Sequence, residues 1–309
     1  MKAITYSKGT TQVPLHVGEV QAPVPKDGDV LVRVHASALN TGDVARIRMG
    51  LIRTRPAVTG SEFAGEVVQV GKNVAGFSVG DRVYGLKKSG AHAEFAAQSG
   101  DGLLAHIPES LGYTEAATIP NGAMAALFFL KKAGVKEGTK LLIYGASGSV
   151  GAYAVQLAKI LGADVTAVCG TANVEMVRSL GADTVLDYRV TDFTESGELY
   201  DVIFDAVGKL AIADARRALK SHGAFVTTQF SMGIAIQSFL STSRAQKILF
   251  GFARNSREDL EFINGLVSSK KLRPVLDREY SMDRADEAFA YVESGRKKGN
   301  VAITISSGK

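Results

Sequence analysis

The residues with the clearest chemical capacity lie between positions 141 and 151. An apolar run, Leu141-Leu142-Ile143-Tyr144, enters Gly145-Ala146-Ser147-Gly148-Ser149-Val150-Gly151. Glycine at 145 and 148 lets backbone approach phosphate oxygens, free amides at a helix N-terminus point at an anion, and glycine at 151 lets the helix pack closely on the strand. The pattern predicts a dinucleotide pyrophosphate over Gly145, Ser147, Gly148, Ser149, Val150 and Gly151. Ala146 stands where the usual G-x-G-x-x-G pattern has its first glycine, and the competing reading is a tight strand-to-helix turn without a ligand. A carboxylate for the adenosine ribose of NAD is expected about 20 residues beyond the start of the turn. The chain has Cys169-Gly170-Thr171-Ala172-Asn173 there. Without that carboxylate, the Thr171 hydroxyl and the Asn173 amide are read as binding a 2′-phosphate, which makes NADPH the expected cofactor. Arg178 is the nearest cation, with a solvated helix position as its other reading.

The elements that must position these groups follow from periodicity. Val150, Ala154, Leu157, Ala158 and Leu161 recur at helical spacing, Gly162 stops the helix, and 165–168 is apolar again. Strand, turn, helix and strand fill the roughly 30 residues of a βαβ unit. Strand-like runs at 141–144, 165–169, 184–187, 202–206 and 224–228 then alternate with helical ones, including one through Leu219, and predict a doubly wound parallel sheet. Before it, glycine-punctuated runs at 30–35, 66–70 and 82–84 predict an antiparallel, partly barrel-like domain. Near the end, helices at 258–267 and 285–292 and strands at 275–280 and 301–305 fit either domain. The expectation is a nucleotide domain inserted into a β-rich domain.

Composition sets bounds on this reading. A chain of 309 residues exceeds a single core, and 46% hydrophobic with 22% charged residues describes a soluble globular protein. The net charge of +5 comes from 36 basic and 31 acidic residues. The pairs Lys87-Lys88, Lys131-Lys132 and Lys297-Lys298 are scattered, so they are read as solvated surface, and no nucleic-acid partner is expected. Cys169 is the one cysteine, which excludes an internal disulfide framework and multi-cysteine zinc sites, and its apolar neighbours suggest a buried thiol. The N-terminus has no signal-peptide core and no window approaches 18 apolar residues, so a cytoplasmic protein without a membrane partner is expected.

Several separate motifs occur in one order: Pro56-Ala57-Val58-Thr59-Gly60-Ser61-Glu62-Phe63-Ala64-Gly65, Val70-Gly71, Gly80-Asp81-Arg82-Val83, Ala116-Ala117-Thr118-Ile119-Pro120, the glycine turn, Gly181-Ala182-Asp183, Asp205-Ala206-Val207-Gly208 and Gly299-Asn300-Val301-Ala302-Ile303. Together they span nearly the whole chain and resemble the medium-chain dehydrogenase/reductase superfamily, in particular its zinc-free quinone oxidoreductase branch. Zinc-dependent alcohol dehydrogenases of the superfamily place cysteine where this chain has Asn40 and histidine where it has Ser61. An amide and a hydroxyl do not reproduce a thiolate and imidazole site, so no metal is expected. The four-cysteine structural-zinc lobe is missing too, since Gly85 leads within a few residues to Gly90-Ala91-His92. The resemblance implies an α/β fold, with a Rossmann domain at 117–252 inserted into a GroES-like catalytic domain formed by 1–116 and 253–309.

It also implies a reaction: NADPH-dependent hydride transfer to a quinone or an α,β-unsaturated carbonyl compound, with that small molecule as partner and a homodimer as the assembly. Without zinc, developing negative charge must be met by hydrogen-bond donors. Asn40, which faces the nicotinamide in the family, is the catalytic candidate, with a loop-capping amide as its other reading. By motif, Tyr188 lies beside the adenosine ribose or phosphate, Val207 and Gly208 line the cofactor, and Phe250, Gly251 and Asn300 approach the nicotinamide side. Relatives commonly carry threonine at the position of Ala125 and a cation at Ala172 or Asn173. These departures keep in view a cofactor-binding redox sensor or structural protein with little turnover, and an alcohol dehydrogenase is a third reading. Loops 45–54 and 230–244 would shape the substrate cleft, and the apolar run 233–236 with Phe239-Leu240 would line a pocket or a subunit contact.

Overall fold

The structure is a computed structural model that describes residues 1–6, 15–51, 57–228, 234, 238 and 246–305. Residues 52–54 of the first cleft loop, Pro56 of the first motif, and all of loop 230–244 except 234 and 238 lie outside the described residues. The chain forms two compact units, one comprising 1–121, 256–270 and 274–309, the other 122–255 with 271–273.

In chain order the first unit begins with β1 (Lys2–Tyr6), β2 (Leu15–Glu19), β3 (Asp29–Ala38), α1 (Thr41–Arg48), β4 (Glu62–Val70), β5 (Arg82–Leu86), β6 (Phe95–Ser99), β7 (Leu104–His106) and α2 (Tyr113–Ala117). Next come α3 (Pro120–Lys132), β8 (Lys140–Tyr144), α4 (Ser149–Ile160), β9 (Asp164–Cys169), α5 (Val174–Ser179), β10 (Thr184–Asp187), β11 (Tyr200–Asp205), α6 (Ile212–Arg217), β12 (Leu219–Thr227) and β13 (Lys247–Leu249). The chain returns to the first unit with α7 (Arg257–Ser268), β14 (Leu276–Ser281), α8 (Ala285–Glu293) and β15 (Asn300–Thr304).

The first unit holds a seven-stranded sheet in which β14, β15, β3, β4, β5 and β7 lie in that order and β6 also pairs with β3. All its pairings are antiparallel except β14 with β15. In β3 the residues Val30, Val32, Val34 and Ala36 are fully buried at the period of two that a strand requires. Gly65 of β4 is fixed by close approach, because a Cβ there would lie 2.0 Å from the Arg33 carbonyl oxygen.

The second unit is a parallel sheet in the order β10-β9-β8-β11-β12-β13. Its central strands are buried on both faces, with Leu141, Leu142, Ile143 and Ile203 fully inaccessible, as expected where helices cover a parallel sheet. The strand order reverses between β8 and β11, so the carboxyl ends of these two strands form the switch point at which such sheets take ligands. One expected element differs. The helix predicted through Leu219 ends at Arg217, and Leu219 instead opens β12, paired with Tyr200. Ladder pairing and burial of the leucine outweigh the helical spacing.

Phe204 in β11 is 1% exposed and packs on Phe129, the ring centroids 5.7 Å apart. Phe204→Ala should destabilise the second unit by about 3–5 kcal/mol in urea denaturation. A loss below about 1 kcal/mol would contradict the packing described.

Candidate active site

In the second unit, β8 runs into the glycine turn with tight geometry. The Gly145 and Ala146 N–H groups both donate to the Val168 carbonyl at 3.0 Å, and the Gly148 N–H donates to the Gly145 carbonyl at 3.1 Å. These three amides are therefore engaged within the fold. The first bond of α4 runs from the Ala152 N–H to the Gly148 carbonyl at 2.9 Å. The Val150 and Gly151 amides precede it and have no helical carbonyl to take them, so they are donors suited to an anion.

The three glycines have separate tasks. Gly145 has φ +79°, and a Cβ on it would lie 2.5 Å from Val207 Cγ1. A Cβ on Gly151 would lie 2.2 Å from the Gly145 carbonyl oxygen, so this glycine lets α4 close on the turn. Gly148 caps the helix and meets nothing nearer than 3.4 Å. Val207 and Gly208 are held over the turn by Asp205, whose carboxylate accepts the N–H groups of Val207, Gly208 and Leu210 at 3.2, 2.9 and 3.0 Å. Burial raises the proton affinity of Asp205 against these bonds.

At the end of β9, Asn173 Nδ2 donates to Ser147 Oγ at 3.1 Å, and the Asn173 Oδ1 is buried with no partner among the described residues. The amide read from sequence as a phosphate donor is thus turned to the glycine turn by one N–H, and its oxygen is an acceptor suited to a hydroxyl. Thr171 bonds the Asp187 carboxylate, which that bond and the Arg189 N–H hold below its usual range. Tyr188 stands over Gly170, where a Cβ would lie 3.2 Å from the tyrosine hydroxyl. Arg178 pairs with Glu175 on its own helix. Phe250 and Gly251 follow the edge strand β13, separated from β8 by β11 and β12, so the glycine turn does not gather them. Together, the glycine cradle, the two first-turn amides and the orphaned Asn173 oxygen fit a dinucleotide.

In the first unit a polar cluster forms where β3 ends and β4 begins. Asn40 precedes α1, and its backbone N–H donates to Asp43 Oδ2 at 3.0 Å. Ser61 Oγ donates to Asp43 Oδ1 at 3.1 Å. The Asn40 Nδ2 donates to Glu62 Oε2, and the Asn121 N–H to Glu62 Oε1 at 2.6 Å. Glu62 is fully buried. Burial, aided by the neighbouring Asp43, pushes its carboxyl up to about 8 despite the donors and Lys297. Lys297 donates to the Gly299 carbonyl at 2.7 Å, and burial draws it down to about 8. Asn300 is only 2% exposed and donates both its backbone and side-chain N–H to the Val275 carbonyl, at 2.8 and 3.1 Å. It ties β14 to β15 beside the cluster, since Leu39 N–H donates to the Val301 carbonyl at 3.0 Å.

Sequence reasoning missed Glu62 and Lys297. The available signal was a carboxylate among small and apolar residues, Gly60 to Gly65, at the start of a strand. Lys297 is partly buried and Lys298 exposed, which corrects the reading of that pair as solvated surface. Lys87 departs from it likewise, donating to the Ala97 carbonyl at 3.1 Å. Zinc does not fit here. Asn40 and Ser61 offer an amide and a hydroxyl engaged with carboxylates. Nearby His92 is fully buried, with Nδ1 2.8 Å from Thr59 Oγ1 and Nε2 3.0 Å from the Ala38 carbonyl. Among the described residues, no group of three or more His, Cys, Asp and Glu could hold a metal ion. No described helix is long and apolar enough to cross a membrane.

Folding raises the Glu62 carboxyl from 4.5 to about 8, so across that window the native protein holds a proton that the unfolded chain has lost. The contribution is full below the unfolded value and is lost as pH rises through the folded one, by at most about 1.4 kcal/mol per pH unit. Glu62→Gln should remove this slope from urea denaturation measured across the window. An unchanged slope would show that Glu62 is not its source.

Residues 26–138 match the alcohol dehydrogenase GroES-like domain family and residues 180–303 the zinc-binding dehydrogenase family. The chain is 34% identical to a 2-methylene-furan-3-one reductase of Solanum lycopersicum, over 98% of this chain and 79% of the relative. It is 33% identical to a chloroplast envelope quinone oxidoreductase homolog of Arabidopsis thaliana, over 98% of both. Its fold matches the quinone oxidoreductase of Coxiella burnetii with a TM-score of 0.89, at 26% identity and 99% coverage of each chain. With the switch-point turn, the GroES-like sheet and these full-length matches, the chain belongs to the medium-chain dehydrogenase/reductase superfamily of oxidoreductases, among its quinone oxidoreductase-like members.

Proposed function

We propose that this protein is an NADPH-dependent, zinc-independent reductase of quinones or α,β-unsaturated carbonyl compounds. The observation that carries the reading is the group at the head of α1: an amide, Asn40, bonded to a buried carboxyl in place of a metal-ligand set. The similarity to a quinone oxidoreductase homolog and a 2-methylene-furan-3-one reductase supports the substrate class.

The second unit would hold the dinucleotide, with the Val150 and Gly151 amides on the pyrophosphate and Asn173 Oδ1 accepting from the adenosine ribose. When bound, the nicotinamide supplies the hydride. The end of β9 itself carries no carboxylate, which favours NADPH against the Asp187 carboxylate that Thr171 bonds, and Arg189 beside Tyr188 adds a cation for the 2′-phosphate. Asn40 donates an N–H to the acceptor oxygen as it takes on enolate or phenolate charge, and its place at the head of α1 holds the side chain in position before the reaction. Asp43 positions Asn40 through the backbone bond. The second product hydrogen arrives as a proton from water, so no further acid is needed.

Stopped-flow loss of NADPH absorbance on mixing with quinones and with enones tests the assignment. The wild type should oxidise NADPH faster than NADH, and Asn40→Ala should lower kcat by about 100-fold while NADPH binding is retained. Saturable NADPH binding with no oxidation by either acceptor class would overturn it.

A further inference from the structure

A primary amide has a donor end and an acceptor end of nearly equal shape, so reversing it changes its chemistry with little change in packing. Asn40 meets Glu62 at one end. In the structure both Glu62 oxygens accept, Oε2 from Asn40 Nδ2 and Oε1 from the Asn121 N–H, which is the arrangement of an ionised carboxylate. A protonated Glu62 has a hydroxyl that must donate. Oε1 faces a backbone N–H, which cannot accept, so the hydroxyl falls on Oε2, and the partner there accepts only if the Asn40 amide turns to present Oδ1. Glu62 has no exposure and Asn40 is 6% exposed, so an acceptor oxygen would meet the end of the amide directed away from Glu62.

We propose that the proton on Glu62 sets the orientation of the Asn40 amide, so that Asn40 offers its NH₂ end to the acceptor oxygen when Glu62 is protonated and its carbonyl end when Glu62 is ionised. Glu62 is then a positioning residue acting through Asn40. The inference rests on the reading of Asn40 as the donor to the acceptor. The charged and titratable groups around Glu62 are few. Asp43 favours the protonated form and Lys297 opposes it. Lys297 in turn faces Asp277, and the buried His92 faces Asp43. The neighbouring Ser37 hydroxyl is taken by the Glu62 backbone carbonyl. Burial keeps the Glu62 proton to about 8, which sets the switch near neutral pH.

The test is the pH dependence of kcat/KM for NADPH oxidation by a quinone and by an enone, between about pH 6 and 10. The wild type should lose about tenfold per pH unit on the alkaline side. In Glu62→Gln, the side-chain carbonyl accepts from the Asn121 N–H and the NH₂ holds Asn40 Oδ1, so this limb should flatten. Lys297→Met removes the cation that favours ionised Glu62, so the limb should move to higher pH. A second readout is free of turnover: the side-chain amide resonance of Asn40 in the NADPH-bound full chain, assigned through Asn40→Asp, should shift with pH in the wild type and stay fixed in Glu62→Gln. If that resonance titrates while no acceptor is reduced, the switch stands and the reductase reading fails. If acceptors are reduced while the wild-type resonance stays fixed across the range, or Glu62→Gln keeps the alkaline limb, the switch is overturned.

Discussion

A fully buried carboxyl group imposes a condition that the first unit is built to meet. Glu62 sits in β4 with no access to water, and an unpaired carboxylate in such a place is costly. The fold answers with two donors, the Asn40 side chain and the Asn121 backbone, and with Lys297 nearby. Each comes from a different part of the chain: the head of α1, the first turn of α3 and the loop before β15. Meeting the demand of one side chain therefore fixes the end of β3, the entry to α1 and the approach of β15. Asp43 extends the same arrangement by holding the Asn40 backbone and the Ser61 hydroxyl.

The second unit solves a different problem, close approach. Gly151 lets α4 descend onto the turn, and Gly145 accepts both a left-handed backbone and the Val207 side chain above it. Asp205 anchors the loop carrying Val207 through three backbone bonds, so the carboxyl ends of β8 and β11 are bound into one surface. Three of the turn's own amides serve this framework. The donors suited to an anion are those at the head of α4, which divides the glycine pattern into residues that shape the cradle and residues that present it.

Much of this was legible in the sequence because it is local. The glycine turn, the alternation of apolar runs and the helix stop at Gly162 depend on neighbours within one βαβ unit. What escaped depends on partners far along the chain. Glu62 meets Asn40 and Asn121 across separations of 22 and 59 residues, and nothing around Glu62 announces them. Lys297 and Lys298 are identical in composition and opposite in environment, which only the path of the chain decides. Leu219 shows the same limit, since its helical spacing was sound and its partner Tyr200 in β11 decided otherwise. Asn173 stands out by position alone, but the direction of its amide is set by Ser147.

The central claim, hydride transfer from NADPH to an activated acceptor by a chain that uses an amide where zinc relatives use a metal, is tested most directly by isotope transfer. Metal-stripped protein is mixed with NADPH deuterated at nicotinamide C4 and an α,β-unsaturated ketone, and the product is examined by NMR and mass spectrometry. One deuterium should appear at the β-carbon of the saturated product, in equal yield with and without added zinc. Product free of deuterium, or transfer that appears only when zinc is restored, would contradict it.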